Sequence, residues 1–167
     1  MRRFLLLVLL ACVVTTPVAP VEALTLDGFR TSKISNKAPR AIGRLIIPRL
    51  NVNEKIYVGI SNREFDVGVG KWPGTPSAGD VGNLVIGGHR SSGIRPFYNL
   101  DKLKRGDRIT VEEGRRRVDY VMTHSMIVQP TALWITKQST NPTLTLFTCH
   151  PKGSTKQRYV IRAISTK

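Results

Sequence analysis

The sequence predicts a mainly β fold, a closed or nearly closed barrel with a few short helices, and three observations carry that prediction. Short runs rich in β-branched and aromatic residues recur between residues 42 and 165. Helical signals are few and confined to short pieces. Glycine, present 14 times, and proline, present 10 times, punctuate almost every gap between the runs. Many short strands with turn-rich connections favour a closed β architecture over a layered α/β fold.

The elements follow in order. Residues 1–23 open with Met1-Arg2-Arg3, continue through the apolar run Phe4–Val14 and end at Val21-Glu22-Ala23, a positively charged start followed by an apolar stretch. Small residues at Val21 and Ala23 suit signal-peptidase cleavage. The uncharged stretch Phe4–Val21 would reach ~27 Å as a helix, just enough to span a bilayer, although Pro17 and Pro20 interrupt it. A cleaved signal peptide and a retained membrane anchor therefore both remain open, and either implies export. Leu9-Leu10-Ala11-Cys12 faintly resembles a lipoprotein cleavage site. Residues 24–40 are polar and aperiodic, as a flexible tether would be, and 41–167 form the folded domain.

Within that domain the expected strands are Ile42–Ile47, Glu54–Val58, Asn83–Ile86, Arg108–Val111, Val118–Val128, Thr143–Thr148 and Arg158–Ser165. Short helices are expected at Asn62–Val67, at Arg95–Leu103 with Pro96 near its start, and at Thr131–Ile135 after Pro130.

The chain carries a net charge of +15. Such a surplus suits anionic partners, and an exported protein meets lipid headgroups, pyrophosphate-linked wall precursors and wall polymers before nucleic acid. A basic barrel that binds wall polymer or nucleic acid without catalysis is the alternative reading, yet aromatic residues for base stacking are sparse and dispersed, so no nucleic acid is expected. Lys102–Arg105 and Arg115–Arg117 sit beside Gly106 and Gly114 and read as solvated turns.

Of the two cysteines, Cys12 lies in the targeting segment, which leaves Cys149 without a partner in the exported domain. An unpaired thiol in an oxidising compartment is either a small buried hydrophobe or a nucleophile. The three histidines differ by position. His89 follows an apolar strand broken by Gly87-Gly88 and is delivered into a loop, where reactive side chains are commonly presented. His124 lies inside an expected strand and reads as a face-lining residue. His150 adjoins Cys149 and so points to the opposite face unless the chain bends at Pro151. A thiol of ordinary pKa ~8.5 attacks an amide only with proton management and nearby positive charge. His89 and Arg158 can supply these from other strands. If the run ending at Cys149 pairs with the run opening at Arg158, the two lie together, and the planar guanidinium suits a carbonyl or oxyanion.

The stretch Thr145-Leu146-Phe147-Thr148-Cys149, with Arg158 opening the next strand and His89 in Gly87-Gly88-His89-Arg90, resembles the signature of the sortases. The resemblance covers about residues 41–165 and extends to Ile42–Pro48, Trp72-Pro73-Gly74-Thr75 and Gly82–Arg90. The ending Cys149-His150-Pro151 with Arg158-Tyr159-Val160 is similar to class E sortases of actinobacteria. The resemblance implies a closed barrel of about eight strands and a cysteine transpeptidase. It implies cleavage of Leu-Pro-x-Thr-Gly or Leu-Ala-x-Thr-Gly sorting signals on surface proteins, through a Cys149 acyl-enzyme. A peptidoglycan-precursor amine then receives the protein. It further implies His89 as proton donor and acceptor, Arg158 with the His150 backbone N–H around the oxyanion, and Thr148 as a substrate or oxyanion contact. Acidic residues are scattered, Glu112-Glu113 and Glu64 with Asp66 being the nearest groups, so neither a metal nor another cofactor is expected. A papain-like enzyme would place its cysteine at a helix N-terminus, whereas Thr143–Cys149 alternates as a strand.

Overall fold

A computed structural model describes residues 38–166; the targeting segment 1–23, with Cys12, and the tether up to residue 37 lie outside the described residues. The strands are β1 (Ala41–Ile47), β2 (Val52–Val58), β3 (Val69–Lys71), β4 (Gly82–Gly87), β5 (Arg108–Glu113), β6 (Arg116–Val128), β7 (Pro142–His150) and β8 (Gln157–Ser165). They close into a barrel in the order β1-β2-β3-β4-β7-β8-β6-β5, with β5 returning to β1. The β2–β3 and β4–β7 pairs are parallel, and every other neighbour is antiparallel. Each run expected from the sequence is present, and β3 is an addition.

Two-residue alternation sorts each strand into an inside and an outside. Leu84 and Ile86 of β4, Leu144 and Leu146 of β7, and Ile161 and Ala163 of β8 belong to the central cluster, with Leu45, Ile47, Ile56, Ile109, Val111 and Tyr120 from the other side of the barrel. Val85, Phe147 and Val160 face the other way and form a second apolar cluster with Ile135, flanked by Ile60, Phe65, Trp72 and Val128. This outer cluster is the ground on which the site is built.

One helix, α1 (Asn62–Phe65), lies where a helix was expected, and 3-10 turns occupy Leu100–Lys102 and Leu133–Thr136. The expected helix over Arg95–Leu103 is not formed. Pro96 has no N–H to give, and Arg95 takes a left-handed φ of 50°. The apolar residues Phe97, Leu100 and Leu103 recur every third position and bond from i to i+3, so the segment winds with a three-residue repeat and buries all three in the barrel.

Candidate active site

The register of three strands assembles the site. Val85 and Gly87 of β4 pair with Thr145 and Phe147 of β7, and Cys149 of β7 pairs with Arg158 of β8. Residues directly opposite one another in an antiparallel pair share a face. Cys149 therefore follows Thr145 and Phe147 onto the outer face, and Arg158 joins it from β8 together with Val160. His89, two residues beyond Gly87, lines the same cavity. That cavity measures 590 Å³ and is bounded by Ile60, Phe65 and Trp72 on one side and by Pro130, Ala132 and Leu133 on the other.

Gly87 has a steric role here. It lies opposite Phe147, and a Cβ at position 87 would run into the Phe147 ring, which Trp72 meets edge-on at 5.8 Å. A side chain at 87 would push that ring toward the cavity. Gly88 is equally confined, because a Cβ there would come within 3.0 Å of Phe97. The two glycines thus let the chain pass between two aromatic rings and emerge at His89.

Cys149 is a free, half-buried thiol. Its β8 partner Arg158 donates from Nη1 to the carbonyls of Thr155 (2.9 Å) and Gln157 (3.0 Å), and no carboxylate pairs with it among the described residues. The guanidinium is held by its own loop and keeps an uncompensated positive charge at the cavity. His89 places Nε2 3.1 Å from Asp66 Oδ1 and sets its ring edge-on to Phe65, with centroids 5.4 Å apart.

Thr148 also lines the cavity, whereas His150 and His124 do not. Thr148 alternates onto the inner face, is 1% exposed, and donates its hydroxyl to the Gly88 carbonyl at 2.7 Å. That hydroxyl is already used to hold the chain leading to His89. The His150 side chain also points away from Cys149, as adjacent strand positions require. Its Nδ1 accepts from Arg90 Nη1 at 2.8 Å, and its ring lies 5.9 Å from Tyr159. His124 is exposed on β6, bonded to Thr123, and does not line the cavity.

Two groups here escaped the sequence. Arg90, buried at 3% exposure, reaches Asp101 (2.9 Å), His150 and the Cys149 carbonyl (3.4 Å), and lies over the Tyr159 ring. It clamps the end of β7 to the loop after β4. Asp66 faces His89 from the C-terminal end of α1. In the sequence this neighbourhood was marked by the helical signal over Asn62–Val67 and by Glu64 with Asp66 as neighbouring acids, neither of which pointed to His89.

The cavity wall over residues 133–136 is tied down by a buried polar network. Asn83, fully buried, donates to the carbonyls of Ile135 (2.8 Å) and Lys137 (3.2 Å) and accepts from Thr145 (2.6 Å). Arg162 donates to Thr145 (2.6 Å) and to Ile135 (3.0 Å). Burial lowers the Arg162 pKa from the ordinary arginine value, and the group remains charged at neutral pH. Asn83→Ala takes the side-chain donor from the Lys137 carbonyl and the acceptor from the Thr145 hydroxyl, while Ile135 keeps Arg162, at about 1–3 kcal/mol for each group left unsatisfied. It is expected to lower the urea-unfolding midpoint of the full chain and to loosen the wall. An unchanged midpoint would show that the network does not anchor it.

Among the described residues no group of three or more His, Cys, Asp or Glu side chains is arranged to hold a metal ion.

The sortase domain family matches residues 45–166. Sortase D of Bacillus subtilis (strain 168) is 29% identical over 142 residues, covering 78% of this chain and 70% of that protein. Among solved structures, the Clostridium perfringens sortase D5 transpeptidase superimposes with a TM-score of 0.70 at 26% identity, over 76% of this chain and 79% of that one. Sortase C-1 of Actinomyces oris superimposes with a TM-score of 0.72 at 27% identity, over 80% of this chain and 76% of that one. These relatives are of classes D and C and do not bear on the class E resemblance. With the match spanning most of the chain and the barrel shared with these enzymes, the protein belongs to the sortase family and is an enzyme of the cysteine transpeptidase kind.

Proposed function

We propose that the protein cleaves sorting signals of the Leu-Pro-x-Thr-Gly or Leu-Ala-x-Thr-Gly type between Thr and Gly and transfers the surface protein to an amine of a peptidoglycan precursor. One observation carries this reading above the others. The β7–β8 register sets Cys149 directly opposite Arg158 in a cavity that His89 also lines.

In the proposed reaction the Cys149 thiolate attacks the Thr carbonyl carbon, and the carbonyl oxygen becomes an oxyanion held by Arg158 and the His150 backbone N–H. The oxyanion collapses, the Thr–Gly C–N bond breaks, and His89 gives its proton to the departing Gly amine. A thioester remains on Cys149. An incoming amine loses a proton to His89, attacks the thioester carbonyl, and expels the thiolate with a new amide bond formed. The second step thus returns to the imidazole the proton spent in the first. Thr148 serves indirectly, its hydroxyl holding the Gly88 carbonyl next to His89. The 590 Å³ cavity, with Trp72 and Phe147 on one wall and Leu133 on the other, suits an extended peptide with apolar side chains.

Residues 1–23 act as export signal or anchor, 24–40 as tether and 41–167 as catalytic domain outside the membrane. The positive surplus holds that domain at the anionic envelope. Quenched peptides carrying each motif, incubated with the full chain with and without a small amine, test the reading. Cleavage between Thr and Gly and an amide product that depends on the amine are expected. Inertness toward both motifs, or cleavage at another bond, would contradict it.

A further inference from the structure

Among the described residues the cavity is lined by a single carboxylate, Asp66, in a chain of net charge +15, and it meets His89. Three independent features converge on this contact. The helix start is fixed, because Glu64, 7% exposed, accepts from the Ser61 backbone N–H (3.1 Å) and hydroxyl (2.6 Å). A helix of one turn whose start is tied in this way delivers its next two residues, Phe65 and Asp66, at a defined angle. Phe65 meets the His89 ring edge-on and Asp66 meets its Nε2. From the opposite side Gly93 leaves room for the pair. It has a φ of 53°, and a Cβ there would stand 3.3 Å from Asp66 Oδ1 and 3.6 Å from His89 Cδ2.

We propose that Asp66 is a positioning residue which accepts a hydrogen bond from the Nε2–H of His89 and so assigns Nδ1 as the nitrogen that gives and takes the proton of the reacting amines. The inference rests on the reading of His89 as the acid and base of the reaction. A carboxylate only accepts, so the nitrogen facing it carries hydrogen in both the neutral and the charged ring. A nucleophile, a base and a third group that orients the base is a recurrent arrangement in covalent catalysis. Here the third group comes from a helix far from Cys149 in sequence. The Asp66 side chain is 58% exposed, so water screens its charge and the effect is one of orientation and modest electrostatics.

The test uses the full chain with Asp66→Ala, Asp66→Asn, His89→Ala and the His89→Ala/Asp66→Ala double variant, with kcat and KM measured for peptide cleavage and for amine transfer. Asp66→Ala is expected to lower kcat in both half-reactions on the order of tenfold, less than the ~10²–10⁴-fold loss at His89→Ala, with the peptide KM and the melting midpoint unchanged. Asp66→Asn keeps an oxygen that accepts from Nε2 and is expected to recover most of the rate. The double variant is expected to be no slower than His89→Ala, because Asp66 acts through that ring. An unchanged kcat in Asp66→Ala, an effect confined to the KM of the amine, or a further loss in the double variant would overturn the proposal. Full turnover in His89→Ala would instead overturn the underlying assignment of His89.

Discussion

Cys149→Ala is expected to abolish both cleavage and transfer, a loss of at least ~10⁴-fold, while the barrel remains folded. The thiol is half-buried at the penultimate position of β7, and alanine there removes one atom without disturbing a hydrogen bond of the ladder. A stability change of no more than about 1 kcal/mol follows. No neighbouring hydroxyl stands ready as a substitute. Thr148 donates to the Gly88 carbonyl from the inner face, and Ser92 and Thr155 lie on loops outside the β7–β8 pair. Peptide turnover and urea unfolding, measured on the same preparation, separate lost chemistry from lost fold. Substantial turnover in a folded Cys149→Ala protein would remove the thiol from the mechanism.

Arg158→Lys is expected to lower kcat by ~10²-fold or more with the peptide KM little changed. Lysine keeps the charge and loses the planar fork. Arg158 splits its duties: Nη1 is anchored on the Thr155 and Gln157 carbonyls, so the guanidinium is held in place before substrate arrives. An ammonium on a flexible stem cannot bond two carbonyls of its own loop and still present further donors in the same plane. His124→Ala, on an exposed position of β6 away from the cavity, supplies the control and is expected to be silent. Equal kinetics for Arg158→Lys and the unaltered chain would make Arg158 a structural residue of the loop.

The barrel was legible because its strands announce themselves by alternation and by the glycines and prolines between them. β3 did not. Val69-Gly70-Lys71 is too short to show a period, and its strand character comes from β2 and β4 on either side. The segment around Phe97, Leu100 and Leu103 misled for a related reason, since apolar residues with Pro96 near the start suggest an α-helix until the three-residue repeat is weighed. In the site, Cys149 and Arg158 were readable as a pair, because one hairpin joins them and its register can be inferred. His89 was readable from the broken strand before it. The outward direction of all three depended on which alternation faced the core, and that was set by Leu144 and Leu146 packing inside. Asp66 and Arg90 were not readable as site residues. Each meets a partner distant in sequence that no local pattern encodes, Asp66 from the end of α1 to the loop after β4 and Arg90 from that loop to the end of β7.

The proposed mechanism turns on a covalent intermediate in which the substrate's Thr carbonyl is carried on Cys149. The direct measurement is mass spectrometry of the full chain quenched in acid after mixing with a Leu-Pro-x-Thr-Gly or Leu-Ala-x-Thr-Gly peptide in the absence of added amine, followed by digestion to locate the adduct. The mechanism predicts a mass increase equal to the acyl half of the peptide ending in Thr, on the fragment that contains Cys149, and its discharge when amine is added. Cleavage of the peptide with no adduct, or an adduct on any other residue, would contradict it.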